Sequence, residues 1–319
     1  GQPLTRKEDD ALLRGAGRYI ADVFPDGALQ AVVLRSPHAH ATFSFGDLAR
    51  VRAMKGVRLV LTGADVAHLG PLPTPGVIPG PTIDIPYYPI LARDVVKHVG
   101  DAIAFVVADT LEQAKDAAEA IAVDWQELPH VVGAIAALDP SAPRVWPDRS
   151  NLSFESTMGD EAATKAAFAQ AERVIETTIV NQRLVTNYMD TRGVVAEYDG
   201  KRYTLTLGSQ GAHIIRDIIG VEVMKLKPDE MRVITPEVGG GFGTKLFPYR
   251  EYALAAVAAE KLRKPVRWVA DRSEHFLGDS HGRDNISTAR LALDGKGRFL
   301  ALELDIVADM GAYLSCDAP

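Results

Sequence analysis

The sequence predicts an α+β protein in two domains, divided between residues 133 and 134. Three observations lead there. Short apolar runs surround a helical stretch within residues 1–133, and an irregular segment rich in Pro, Asp and Ser occupies residues 129–157. Residues 134–319 then hold two hairpins and a strand–glycine loop–helix unit.

Taken in order, LQAVVLR (29–35) and VRLVLT (57–62) read as strands. A stretch dense in Pro and Gly, PLPTPGVIPGP (71–81), reads as a long loop because both residues interrupt regular structure. AIAFVVA (102–108) is apolar throughout and predicts a central strand. Thr110 and Gln113 form a capping-box pattern, opening a helix that places Leu111, Ala114, Ala118 and Ile121 on one face. IAVDW (121–125) returns as a strand, giving this part β-α-β character. Beyond the boundary, Asp160 caps an Ala-rich helix over residues 161–171. GVVAEY and RYTLTL flank Asp199-Gly200, a hairpin signal, and Gly295-Lys296-Gly297 joins a second hairpin.

The 319 residues, 47% hydrophobic and 24% charged, have the composition of a globular chain that builds a core without staples. A net charge of -7 gives no electrostatic case for nucleic acid or anionic membrane. The single cysteine, Cys316, forms no internal disulfide, and an iron–sulfur cluster needs about four thiolates. No apolar run approaches the ~18 residues of a membrane span, and GQPLTRKEDD lacks a signal core. The close at GAYLSCDAP, where a strand runs into a turn, reads as a fragment or as one product of a split gene.

Four segments could carry chemistry. In VGGGFGTK (Val238–Lys245), three glycines lie between strand-like MRVITPEV and helical EYALAAVAAEKL. Their bare backbone suits an anion or the close approach of a bulky cofactor. Thr244 stands where both the Walker and the dinucleotide patterns need glycine, so the alternative is a tight turn with only a packing role. In LGSQGAHIIRDIIG (207–220), Gln210 sits past a strand end, before a helix carrying Ile214, Ile215 and Ile218. It is either a ligand contact, with donor and acceptor both on offer, or a turn residue bonded to backbone. His281-Gly282-Arg283-Asp284 is an anion or partner contact, or a solvated loop. On a strand, His38 and His40 of SPHAH would share a face, but they lack the further ligands of a zinc site and read as structural. Gly208-Ser209-Gln210-Gly211 lacks the spacing of a nucleophile elbow.

Taken together and in order, these segments resemble one family over nearly the whole chain. RKEDDALLRGAGRYIADV, LRSPHAHA, LARDVVKHVGDAIAFVVADT and VDWQELP are similar to the α/β hammerhead domain of molybdenum hydroxylases, the xanthine dehydrogenase, aldehyde oxidase and carbon monoxide dehydrogenase family. NYMDTRGVVAEYD, LGSQGAH, VGGGFGTK, RKPVRWVADRSEHF, HGRD and GAYLS are similar to the first molybdopterin-binding domain of its large subunit. No single motif decides; the ordered set does.

The resemblance implies a molybdenum–molybdopterin cofactor, in the cytosine dinucleotide form of bacterial members, and no metal ligand from side chains. Gln210 would lie near the metal's oxo ligand. Phe242 and Gly243 would approach the metal through backbone, with Gly240 and Gly241 allowing that approach. The implied activity inserts oxygen from water at an electron-poor C–H of an aldehyde or N-heterocycle. The resemblance implies that the electrons then pass to iron–sulfur and FAD subunits, and the single cysteine of this chain cannot hold a cluster. Two departures bear on the substrate. Leu246 stands where xanthine-type members carry a substrate-binding Glu, and Met189-Asp190-Thr191-Arg192 replaces the common M-E-P-R. The family's catalytic Glu and a further Arg near the metal lie in a second half of the subunit that this sequence does not contain, so the chain alone is an incomplete catalyst. The alternative within the same fold is a non-catalytic scaffold that has lost the metal; an unrelated nucleotide-binding protein is disfavoured by the failed patterns. The expected location is the cytoplasm, or the periplasm through a partner.

Overall fold

The computed structural model describes residues 1–74 and 81–314. Thirteen strands and eight α-helices form within these residues. In chain order they are α1 (Asp9–Leu13), β1 (Leu29–Arg35), β2 (Ala41–Phe45), α2 (Leu48–Arg52), β3 (Val57–Thr62), β4 (Val95–Val96), β5 (Ala102–Ala108), α3 (Leu111–Glu119) and β6 (Val123–Glu127). After these come α4 (Ala134–Ala137), α5 (Glu161–Ala169), β7 (Arg173–Asn181), β8 (Gly193–Tyr198), β9 (Tyr203–Leu207), α6 (Ala212–Ile215) and β10 (Met231–Ile234). The last are α7 (Arg250–Leu262), β11 (Val266–Val269), α8 (Arg272–Gly278), β12 (Asn285–Leu293) and β13 (Phe299–Ala308).

A mixed seven-stranded sheet, in the order β10-β9-β8-β11-β1-β5-β3, organises the molecule. It joins strands from both sides of the expected boundary through the parallel β1–β11 pair, with Leu29 opposite Val266. All seven residues of β5 are buried, the signature of a strand covered on both faces. Its Phe105 and Val107 join the larger core with α7, while Ala104 and Val106 join a second cluster with Ala117 and Ala118 of α3. The capping box is present: Thr110 Oγ1 accepts from the Gln113 N–H at 3.3 Å, and Gln113 Oε1 accepts from the Thr110 N–H at 3.2 Å.

One local reading changes. β5, α3 and β6 do not close a β-α-β unit within one sheet. β6 pairs antiparallel with β2, Phe43 opposite Trp125, in a separate three-stranded sheet β4-β2-β6. β5 itself runs antiparallel to β1 and β3, so it needs no crossover partner. It is an interior strand, one place from the β3 edge.

Both predicted hairpins form, β8–β9 with Val194 opposite Leu207 and β12–β13 with Asn285 opposite Ala308. A third sheet, β13-β12-β7, carries an apolar exposed surface that includes Phe299, Leu302, Leu304 and Ile306. The strand expected over 231–238 stops at Ile234, because Pro236 has no N–H for the ladder. In the segment 71–81 the described residues 71–74 and 81 are irregular; the remainder, and Cys316, lie outside the described residues.

α7 is covered on every side, with Arg250 through Ala259 all buried. Its alanines let it sit close to the sheet, and its two charged N-terminal residues need buried partners. They find them: Arg250 donates to Asp101 at 2.6 Å, and Glu251 accepts from Arg35 at 2.6 Å and from Arg192 at 3.2 Å.

Candidate functional site

Two connections meet past the ends of β9 and β10. The first carries Gln210 between β9 and α6. The second is the glycine loop between β10 and α7. Gln210 is tied to that loop at both its backbone and its side chain. Its N–H donates to the Lys245 carbonyl at 3.1 Å, and its Oε1 accepts from the Gly243 N–H at 2.9 Å. The adjoining Ser209 hydroxyl bonds the Thr235 hydroxyl at 2.7 Å, holding the two strand ends together.

The glycines are required for different reasons. A Cβ on Gly241 would stand 2.4 Å from Gln210 Oε1, and one on Gly239 would stand 2.3 Å from Asp190 Cβ. At these two positions closeness of approach excludes a side chain. Gly243 has φ +93° with nothing within 4 Å of the place a Cβ would take, so its conformation, not its neighbours, demands glycine. Gly240 combines both demands, with φ +93° and Tyr188 Cβ at 2.9 Å. Phe242 takes φ +49°, uncommon for an aromatic residue, and is 73% exposed. Strain of this kind collects where a backbone is shaped for a ligand.

The sequence-predicted residues Gln210, Gly240, Gly241, Phe242 and Gly243 therefore converge. The His281–Asp284 tetrapeptide does not join them. Its Gly282 bridges Leu184, and Asp284 accepts from Arg183 at 2.6 Å. His40 bonds the Pro129 carbonyl at 2.8 Å and His38 packs on Trp125 with ring centroids 5.0 Å apart, as side chains of the hammerhead core. Among the described residues no three His, Cys, Asp or Glu side chains lie together as a metal site.

Beneath the loop lies a set of buried ionic groups that the sequence did not expose. Lys245 has a fully buried side chain and pairs with Asp190 at 2.9 Å. Burial lowers the Lys245 ammonium from its ordinary range, and Asp190 counters this. Two residues on, Arg192 bonds Asp279 at 2.6 Å and lies over the Tyr249 ring at 3.5 Å. Asp279 also accepts from the Tyr188 hydroxyl and lies 2.9 Å from His275 Nδ1. Burial by itself would raise Glu251, but the guanidiniums of Arg192 and Arg35 outweigh it and hold the carboxyl down to about 2. In the sequence, Asp190, Arg192 and Lys245 stand in motifs already singled out, but their pairing is hidden, and Glu251 shows only as charge opening an alanine helix.

The site offers backbone N–H groups and an amide, all neutral. The N–H groups of Gly240, Gly241 and Phe242 have no protein acceptor among the described residues. Such donors suit the oxygen and sulfur atoms of an anionic group rather than a bare cation. A cofactor that brings its own metal ligands fits this donor set.

Comparison with known proteins agrees. The family model for a molybdopterin cofactor-binding domain matches residues 145–319, and that for the α/β hammerhead domain of aldehyde oxidase and xanthine dehydrogenase matches residues 14–129. The chain belongs to the family of molybdopterin-binding large subunits of molybdenum hydroxylases. It is 34% identical to the carbon monoxide dehydrogenase large chain of Afipia carboxidovorans, over 98% of this chain and 40% of that one. It is 30% identical to the nicotinate dehydrogenase large molybdopterin subunit of Eubacterium barkeri, over 94% of this chain and 68% of that one. The crystal structure of quinoline 2-oxidoreductase from Pseudomonas putida 86 superposes with a TM-score of 0.88 at 37% identity, over 98% of this chain and 40% of that one. The chain thus spans about 40% of the length of most of these relatives.

Proposed function

We propose that this chain is the cofactor-binding part of a hydroxylase that inserts oxygen from water at an electron-poor C–H of an aldehyde or N-heterocycle. The observation that carries the reading is the bond between Gln210 Oε1 and the Gly243 N–H at 2.9 Å. It fixes the amide so that its NH2 remains as a donor, next to the unpaired N–H groups of Gly240, Gly241 and Phe242. When bound, the molybdenum–molybdopterin group would supply the two-electron oxidation; we assign it the cytosine dinucleotide form.

The chain's own residues bind and orient. Gln210, its Oε1 already held by the Gly243 N–H, would offer its amide NH2 to the group, and the glycine loop would offer backbone donors without side chains intervening. Phe242 presents an exposed ring beside the same loop. Leu246 lies against Gly211, with its Cδ1 3.1 Å from where a Cβ would stand. An apolar side chain there has no acceptor for purine N–H groups, which favours an aldehyde or a simpler heterocycle.

In this reading residues 1–133 are the hammerhead and 134–319 the first part of the cofactor domain, the remainder of the subunit coming from the same gene or a separate chain. The Eubacterium barkeri relative, covered over 68% of its length, shows that a shorter large subunit exists in the family. Electrons leave through iron–sulfur and FAD partners. Among the described residues no helix is long and apolar enough to cross a membrane. We place the complex in the cytoplasm, or in the periplasm through a partner. The test is to purify the complex from its native host, release its nucleotide and oxidise aldehydes and N-heterocycles in 18O-labelled water. Cytidine monophosphate and a labelled product are expected. Product oxygen that carries no label sinks the reading.

A further inference from the structure

We propose that Asp190 and Lys245 are positioning residues for the cofactor-facing loop, a buried ionic clamp that closes it at both ends. The inference rests on the reading above for what the loop faces, but its geometry stands alone. Asp190 holds the start of the loop: its N–H donates to the Gly239 carbonyl at 3.2 Å, and its Oδ2 accepts from the Gly239 N–H at 3.2 Å. Lys245 holds the far end. Its Nζ donates to the Asp190 carbonyl at 2.5 Å and to Asp190 Oδ2 at 2.9 Å. One carboxylate oxygen therefore receives both ends, and the residues between them, 240–244, form a closed loop over it.

The surroundings leave the pair one arrangement. The Lys245 side chain is 0% exposed and that of Asp190 9% exposed. The Tyr188 ring lies 4.5 Å from Nζ. Gly208 closes the other side, where a Cβ would come within 3.5 Å of Nζ and 3.6 Å of Asp190 Oδ2. The Lys245 carbonyl also accepts from the Gln210 N–H at 3.1 Å, so the clamp fixes Gln210 as well. A buried ion pair adds little net stability over an apolar pair, but it selects one register of the groups it joins. Here that register sets the N–H groups of Gly240, Gly241 and Phe242 and keeps that of Gly243 on Gln210 Oε1.

The test compares Asp190→Asn, Lys245→Met and Asp190→Glu in the intact complex. Amide exchange is followed across residues 238–246, with the Mo(V) paramagnetic spectrum as a second readout. Asp190→Asn and Lys245→Met are expected to exchange the loop amides at least about tenfold faster while α7 and β8 stay protected. Their spectra should become heterogeneous, and Asp190→Glu should restore both readouts. Loop exchange within about twofold of the parent in Asp190→Asn overturns the clamp. Should Lys245→Met not assemble, the two Asp190 variants decide the matter. A parent complex without molybdenum would remove the cofactor reading and leave the exchange comparison to judge the clamp.

Discussion

At Gly241 and Gly243 the same residue type answers two different demands, and substitution separates them. Gly241→Ala puts a methyl group 2.4 Å from Gln210 Oε1 and should expel that amide from its place. Turnover of the complex is expected to fall by at least about a hundredfold with little change in thermal midpoint, since misplacing a positioned group by about 1 Å has that scale of cost. Gly243→Ala meets nothing within 4 Å but must hold φ +93°. Its expected cost is stability, about 1–3 kcal/mol by denaturant titration. An unchanged turnover in the first, or an unchanged midpoint in the second, would contradict these roles. Gln210 and the glycines stood out as a polar residue past a strand end and a glycine run, but these local signals left each open to a turn role, and the cofactor role came from the family resemblance. The pairing of Asp190 with Lys245, 55 residues apart, was not legible: each lies in a motif the sequence singles out, but only the fold brings the two together. The hydroxyl bond of Ser209 to Thr235 was hidden in the same way.

The elements were largely written in local pattern. The apolar run at 102–108 and the two Gly-centred turns gave strands with the bounds or pairing seen here. What the pattern could not carry was which sheet a strand joins, and β6 left the expected unit for β2. Nor did it foresee that the helix after Gln210 widens into a π-helix over Arg216–Val223, with Met224 bonding back to Ile219. A π-helix inside a helix of this length often accompanies a functional site. Two predictions belong here. Phe105→Ala empties the centre of a strand covered on both faces and should cost about 3–5 kcal/mol in unfolding free energy. Glu251, held at about 2 against an ordinary 4.5, contributes stability that is complete above 4.5 and lost as pH falls toward 2. Glu274, which burial raises, opposes it in part. Glu251→Gln should therefore destabilise the chain at neutral pH by a few kcal/mol, about the cost of leaving Arg192 and Arg35 short of a carboxylate. It should also flatten the acid limb of thermal midpoint against pH. An acid limb unchanged from the parent would remove Glu251 as its source.

For the molecule as a whole, one sheet spans what the sequence divides into two segments, so the hammerhead and cofactor-binding parts share a core. The strand ends carrying Gln210 and the glycine loop lie toward the β10 edge of that sheet, and the loop leads into α7, buried from Arg250 through Ala259. We propose that these strand ends hold a molybdenum cofactor within a larger complex. The most direct measurement is elemental mass spectrometry of the complex purified under mild conditions from its native host, beside a Gln210→Ala complex prepared in the same way. About one molybdenum per copy of this chain is expected in the parent, with a clear loss in the variant. An intact, multi-chain parent complex with no molybdenum would contradict it and leave a scaffold of the same fold.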